Sequence, residues 1–317
     1  MGVKTTLNKR IFSFISLSLV FIMFLVSAGC GVRINGKEYE FYKSSQSDKK
    51  NSIFSGIGEA STHNQTIAQD EIEGEEFKVS TSAGNVEITK SGNSGIELNA
   101  ELVVRGASAE TKKTILENMI LALEHKGDNV EVVIKTKDSE DFWDWHKYHY
   151  KSYQITINYN ISLPDNFKNL DISTGAGNII VEGVSDKVEA STGAGNIDFN
   201  NMKAEFSAST GAGNITIEDS SPLGKSKLST GAGNIYFNGL LNEVDAFKAS
   251  TGMGNVDFLV PADSKMTLDV DTGVGNLSGS FIKTNSDNKT HFKGDVNGGG
   301  PSVELSTGVG NVNVEEN

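Results

Sequence analysis

A seven-residue unit returns along the second half of the chain. It reads Ser-Thr-Gly-Ala-Gly-Asn-Ile at 173–179, 191–197, 209–215 and 229–235, and drifts to Ser-Thr-Gly-Met-Gly-Asn-Val at 250–256, Asp-Thr-Gly-Val-Gly-Asn-Leu at 271–277 and Ser-Thr-Gly-Val-Gly-Asn-Val at 306–312. A degenerate copy, Ser-Thr-Ser-Ala-Gly-Asn-Val, lies at 80–86. Successive threonines of the array, from Thr174 to Thr307, are 18, 18, 20, 21, 21 and 35 residues apart. A unit this short, holding only brief strands, cannot bury its own apolar face. Copies must therefore stack and share one core.

The flanking pattern specifies strands. After each unit the apolar residues are two apart, as in Ile179/Val181, Ile197/Phe199, Ile215/Ile217 and Ile235/Phe237, and before it Val188/Ala190 and Phe206/Ala208 do the same. Alternation of this kind puts both members of a pair on one face. Each repeat is thus expected to be strand, corner, strand and a looser return. The corner residues are Gly175, Gly177 and Asn178, then Gly193, Gly195 and Asn196, Gly211, Gly213 and Asn214, and Gly231, Gly233 and Asn234. A sharp corner repeated in register demands positive φ or close approach of the next repeat, both of which glycine tolerates. The asparagines are placed to hydrogen-bond their copies in the neighbouring repeat, and Ser-Thr to form hydroxyl ladders. The fold class predicted is all-β, a single-stranded right-handed β-solenoid of 18–21-residue coils, with six or seven coils giving a rod on the order of 30 Å long at ~4.8 Å per rung. The 35-residue interval is read as an insertion at 279–300, a hairpin turning at 298–300.

Ahead of the array the periodicity predicts strands at 77–81, 86–88, 96–104, 130–136 and 153–163. One inserted α-helix is expected near the N-terminal end. It would be capped by Ser108, carry Ile115, Met119, Ile120 and Leu123 on one face, and end near Gly127.

The chain opens with Lys4, Lys9 and Arg10 and no acid, then runs apolar from Ile11 to Val26 before Ser27-Ala28-Gly29-Cys30. This is the pattern of a signal peptide. The segment resembles a bacterial lipobox, with Ser27 where leucine is commonest; the resemblance implies cleavage before Cys30 and a diacylglycerol on its thiol. A plain signal peptide with an incidental cysteine and an uncleaved anchor are the alternatives. Cys30 is the sole cysteine, so an internal disulfide is impossible. Without the leader's three cations the formal charge of −13 becomes −16, which argues against nucleic acid as a partner. The expected organisation is a lipoprotein signal peptide at 1–29, lipidated Cys30 with a flexible polar tether to residue 70, and a β-solenoid domain at 71–317 whose repeat array begins at 171.

The repeated Ser-Thr-Gly-x-Gly-Asn-[Ile/Val] corner, preceded by a strand-and-helix region and an export signal, resembles the DUF4097 family of bacterial adhesin-like proteins over roughly 75–317. The resemblance implies a β-solenoid on the extracytoplasmic side of the envelope and supplies no catalytic residues.

Candidate chemistry is sparse. A calcium-binding nonapeptide array needs aspartate at a fixed offset from the glycines, whereas these corners carry neutral asparagine, a poor set for a cation that takes six to eight oxygens. No Gly-Lys-Ser/Thr follows a corner, so no P-loop is present. No metal and no cofactor is predicted. The five histidines are scattered and no Gly-x-Ser-x-Gly elbow occurs, so no catalytic residue is assigned. One local anomaly stands out: residues 141–150 hold both tryptophans, Trp143 and Trp145, with His146, Tyr148, His149 and Tyr150. Three readings stay open. The segment is a hairpin tip whose rings pack on the end of the solenoid; or an exposed aromatic platform for glycan or protein; or a metal site of Asp144, His146 and His149, which the three-residue spacing suits only on a helix. The expectation overall is a lipid-anchored scaffold for adhesion or binding at the cell membrane, with the membrane lipid reached through Cys30 and an envelope protein or glycan as partner. A regulatory accessory of an envelope sensor is the alternative, and a glycan hydrolase a third.

Overall fold

The computed structural model of the chain describes residues 32–34, 37–39, 61–69, 72–92, 94–282 and 290–317. Cys30, the leader and most of the expected tether lie outside the described residues. The fold is all-β with two short helices among those residues.

Each repeat places one strand on either side of its Gly-x-Gly-Asn corner, and like sides pair in parallel. Before the corner, Asn169–Ala176 pairs with Ser185–Ala194 and that strand with Lys203–Ala212, in a register that aligns Thr174, Thr192 and Thr210. After the corner, Ile179–Glu182 pairs with Ile197–Asn200 so that Ile179, Ile197 and Ile215 form a row. The long strand Ile215–Ala232 belongs to both ladders. The inward rows are fully buried, as at Ile197, Phe199 and Phe206. Phe237 lies 4.8 Å from both Phe247 and Phe258, forming an aromatic seam between the ladders. Burying a side chain of this size stabilises by roughly 1.5–3 kcal/mol.

The order of repeats in space departs from their order in the chain. Ser302–Val309, the last strand before a corner, is inserted between Glu243–Met253 and Met266–Val274, so that Thr251, Thr307 and Thr272 are neighbours in that sequence. After the corner, Val312–Glu316 lies between Val256–Val260 and Leu277–Ser278. The 35-residue interval explains this. Residues 291–296, expected in a self-contained hairpin, instead pair antiparallel with Met266–Val274 and close that end of the ladder, and the turn at 297–298 leads into the inserted strand. At the other end the degenerate copy is a full member of the stack, Glu76–Thr81 pairing with Asn169–Ala176 and Val86–Lys90 with Ile179–Glu182.

The structure departs from three expectations of the sequence. The helix runs only from Ala109 to Asn118, with Ser108 as its cap; Ile120–Lys126 is a strand, paired through a turn at 127–128 with Asn129–Lys135. Over so short an apolar run, Met119, Ile120 and Leu123 satisfy a helical spacing while Leu121 and Leu123 satisfy an alternating one, and pairing decides between them. The tether does not extend to Gln69. Ser61–Gln69 is an edge strand antiparallel to Ile96–Arg105, held by main-chain bonds that need little apolar content, so the β-domain starts before residue 71. A second helix, Phe142–His149, replaces the expected hairpin tip.

Candidate functional site

The corners are built from main chain packed on main chain. A Cβ on Gly193 would lie 2.5 Å from the carbonyl oxygen of Gly175, and one on Gly195, whose φ is +151°, would lie 2.0 Å from that of Gly177. The first glycines Gly175, Gly211 and Gly231 and the second glycines Gly177, Gly213 and Gly233 are equally tight against the repeat beneath. Each threonine hydroxyl is buried and donates to a glycine carbonyl of the adjacent repeat, Thr192 to Gly177 and Thr210 to Gly195 at 2.9 Å. The threonines therefore bond the backbone rather than one another. Among the described residues, only Ser80 and Ser173 make a hydroxyl pair of the kind a ladder requires, at 3.0 Å.

The asparagines close the corner. The N–H of Asn178 donates to Oδ1 of Asn85, that of Asn196 to Asn178, of Asn214 to Asn196 and of Asn234 to Asn214. The N–H groups of Gly177 and Ile179 donate to the carbonyls of Ala194 and Asn196. Three consecutive N–H groups of this corner are thus committed to neighbouring repeats, which leaves no cradle for an anion. The corner glycines and asparagines hold the scaffold together.

The aromatic segment is organised differently. Asp141 caps the second helix, its carboxylate accepting the Asp144 N–H at 2.8 Å. Phe142 is fully buried and anchors the helix to the core. Around it lie Trp143 at 5.4 Å edge-on, Trp145 at 5.7 Å and the stacked ring of His146 at 6.1 Å. Trp145 touches Tyr150 at 5.1 Å, and Tyr150 touches Tyr153 at 6.2 Å. Trp143, Trp145 and Tyr150 are half-buried against the core, whereas Tyr148 is 82% exposed. One side of the segment thus packs on the domain, as a helix and not a hairpin tip, and the other presents Tyr148 to solvent.

The helix supplies the spacing that a metal site of Asp144, His146 and His149 would need, yet the two imidazoles turn apart. His146 lies on Phe142, while Nδ1 of His149 is 2.9 Å from the Trp145 carbonyl oxygen. Burial pushes the His146 imidazole below its ordinary pKa, so the ring favours its neutral form.

Two further groupings were illegible in the sequence because pairing order creates them. The antiparallel strand His291–Val296 brings His291 Nδ1 to 2.8 Å from Asp271 and 3.9 Å from Asp269. Lys293 bridges to Asp269 at 2.6 Å and offsets part of the negative charge of the two carboxylates at the end of the ladder. An open cleft of about 1090 Å³ runs past Glu73, Lys90, Asp165, Asn166 and Glu182, with Lys90 and Asp165 paired at 3.0 Å. The first signal for either is the register of the terminal repeats, which composition and spacing do not carry.

No protein-family model and no curated protein matches the chain. Among solved structures, it is similar to a candidate cell adhesion protein from Clostridium sporogenes, 12% identical over 81% of this chain and 100% of the other, with a TM-score of 0.36. A candidate adhesin from Bacteroides fragilis is 14% identical over 80% and 97%, with a TM-score of 0.39. A candidate lipid binding protein from Parabacteroides distasonis is 12% identical over 80% and 96%, with a TM-score of 0.34. Likeness at this level assigns neither a family nor a ligand.

Proposed function

We propose that this chain is a lipid-anchored scaffold on the extracytoplasmic face of a bacterial envelope, acting by binding or adhesion and not by catalysis. In this reading the stacked repeats form a right-handed, single-stranded β-solenoid of the DUF4097 kind, and lipid on Cys30 holds it to the cell membrane. The observation that carries the binding role is the aromatic helix. Phe142 fixes its orientation in the core, and Trp143, Trp145, Tyr148 and Tyr150 project beside it with faces or edges open to solvent. Trp143, Trp145 and Tyr150, held against the core, bind apolar sugar faces or peptide side chains at small entropic cost, and Tyr148 offers an exposed ring beside them. The corners support the scaffold role, since their polar groups are spent on neighbouring repeats.

Two measurements test this. Wild-type protein incorporates labelled fatty acid in cells and Cys30→Ser protein does not; labelling that persists in the variant rejects the anchor. Purified full-length protein co-sediments with isolated cell-wall material or captures an envelope protein, and Tyr148→Ala weakens that association without lowering the melting temperature. Association that is indifferent to Tyr148 and to both tryptophans would move the binding role elsewhere on the domain.

A further inference from the structure

We infer that the edge strand Ser61–Gln69 is a self-association surface, on which a second copy of this chain adds the same strand antiparallel to form a two-fold dimer.

Among the described residues the two ladders end in four edges, and three of them are guarded. On the ladder before the corners, the far edge His291–Val296 carries Lys293 and Asp295. The near edge, Ile120–Lys126, ends in Glu124 and Lys126, and the Gln65 side chain occupies its backbone by accepting from the Leu121 N–H and donating to the Met119 carbonyl. On the ladder after the corners, the far edge is only Leu277–Ser278, and the segment behind it covers Val312–Glu316, with the Glu316 N–H donating to Ser280. Charge, shortness and cover are the usual means by which proteins keep sheet edges from pairing.

Among the described residues the fourth edge is neither short nor charged; besides its partner strand it neighbours the helix Ala109–Asn118 and, through Gln65, the strand Ile120–Lys126. Ser61–Gln69 is nine residues long, reads Ser-Thr-His-Asn-Gln-Thr-Ile-Ala-Gln, and contains no acid, lysine, arginine, proline or glycine. Among the described residues its only strand partner is Ile96–Arg105. Its neutrality is what selects the occupant. The chain carries a formal charge of −13, so two copies repel over most of their surfaces, and this strip is where they can meet without opposing like charges. The strands at this end already alternate antiparallel, Ser61–Gln69 on Ile96–Arg105 and that strand on Gln154–Leu163, so a two-fold-related strand continues the pattern. Pairing all nine residues puts the axis at Gln65, with Thr62 opposite Ala68 and Asn64 opposite Thr66 of the second copy. An interface of this kind is isologous and closes on itself.

The test uses full-length protein in detergent, with mass measured by light scattering across a concentration series. Wild type moves from monomer to dimer as concentration rises, and the amides of 61–69 gain protection from hydrogen exchange in step with it. The double variant Thr62→Lys/Ala68→Lys places like charges opposite each other twice per dimer and weakens dimerisation by about ten-fold or more. Thr62→Glu/Ala68→Glu does the same, and mixing the two variants restores the dimer. Melting temperatures near wild type show that both variants are folded. Three outcomes overturn the inference: wild type that stays monomeric at every concentration, a dimer indifferent to both variants, or protection of 61–69 that is independent of concentration, which would mean another part of the same chain covers the edge.

Discussion

The backbone N–H of Asn196 donates to Oδ1 of Asn178, one repeat away, at 2.9 Å. The same bond runs from Asn85 through Asn178, Asn196, Asn214, Asn234, Asn255 and Asn311 to Asn276. The last two numbers are out of chain order, so the amide ladder follows the stack in space and not the sequence. It is one of the contacts that make neighbouring corners interchangeable, and so permits the C-terminal repeat to slip between two others.

This ladder predicts an asymmetry between two substitutions. Asn196→Ala removes the acceptor for the Asn214 N–H and should cost about 0.5–1.5 kcal/mol, towards the low end because water reaches the exposed corner. Asn196→Asp keeps an acceptor oxygen and should unfold within about 0.5 kcal/mol of wild type. Denaturant unfolding of the two variants decides the matter; equal losses would mean that the amide N–H, rather than its oxygen, does the holding.

The glycines predict a larger effect. In Gly195→Ala the new methyl would meet the Gly177 carbonyl oxygen at 2.0 Å from a residue whose φ is +151°, so adjacent repeats must separate. The expected cost exceeds about 4 kcal/mol, beyond what most single changes produce. At Gly92 a Cβ meets nothing within 4 Å, and Gly92→Ala should melt near wild type. Thermal unfolding of the pair measures it, and a mild Gly195→Ala would show that the corners are looser than this packing.

Much of the array was legible because each repeat restates the same constraint. The glycine corner, the residue-two-apart pairs and the strand starts near Phe77, Val130 and Gln154 follow from spacing alone. What spacing could not carry was which repeat pairs with which. Nothing local to Ser302–Val309 distinguishes a final rung from an inserted one, because its Thr307 fits equally against Thr251 and Thr272. The aromatic helix was missed for a related reason. Its context is strand on both sides, and the signal that marks it is the Asp141 cap three residues before Asp144, a weak cue in eight residues.

Acidification should destabilise the fold through two imidazoles. Burial lowers the pKa of both His146 and His63 below the ordinary value of 6.5. A histidine depressed in the folded state binds protons more readily when unfolded, so its contribution is intact at high pH and is lost as pH falls through about 6.5 and below. Asp198 and Asp257 are raised, chiefly by burial, and act with the opposite sign, regaining some stability as pH approaches the carboxylate range. The melting temperature should therefore fall between pH 7.5 and pH 5.5, and His146→Phe, which keeps a ring on Phe142, should flatten the fall. A variant with the wild-type slope would assign it to His63 alone.

The aromatic helix allows stability and binding to be separated within two turns. Phe142 is fully buried, so Phe142→Ala should cost about 3–5 kcal/mol through lost burial and the cavity left behind. Tyr148, 82% exposed, should unfold within about 0.5 kcal/mol of wild type when changed to Ala. Trp143 and Trp145 are half-buried on the core, so their double change to Ala should fall between, at a cost of about 2–4 kcal/mol. Binding should rank differently, with Tyr148→Ala and the double tryptophan change both losing association with envelope material. If association is lost only in proportion to stability across the three variants, the helix is packing and the platform is elsewhere. If Tyr148→Ala loses association while its melting curve overlays that of wild type, the exposed ring contacts the partner.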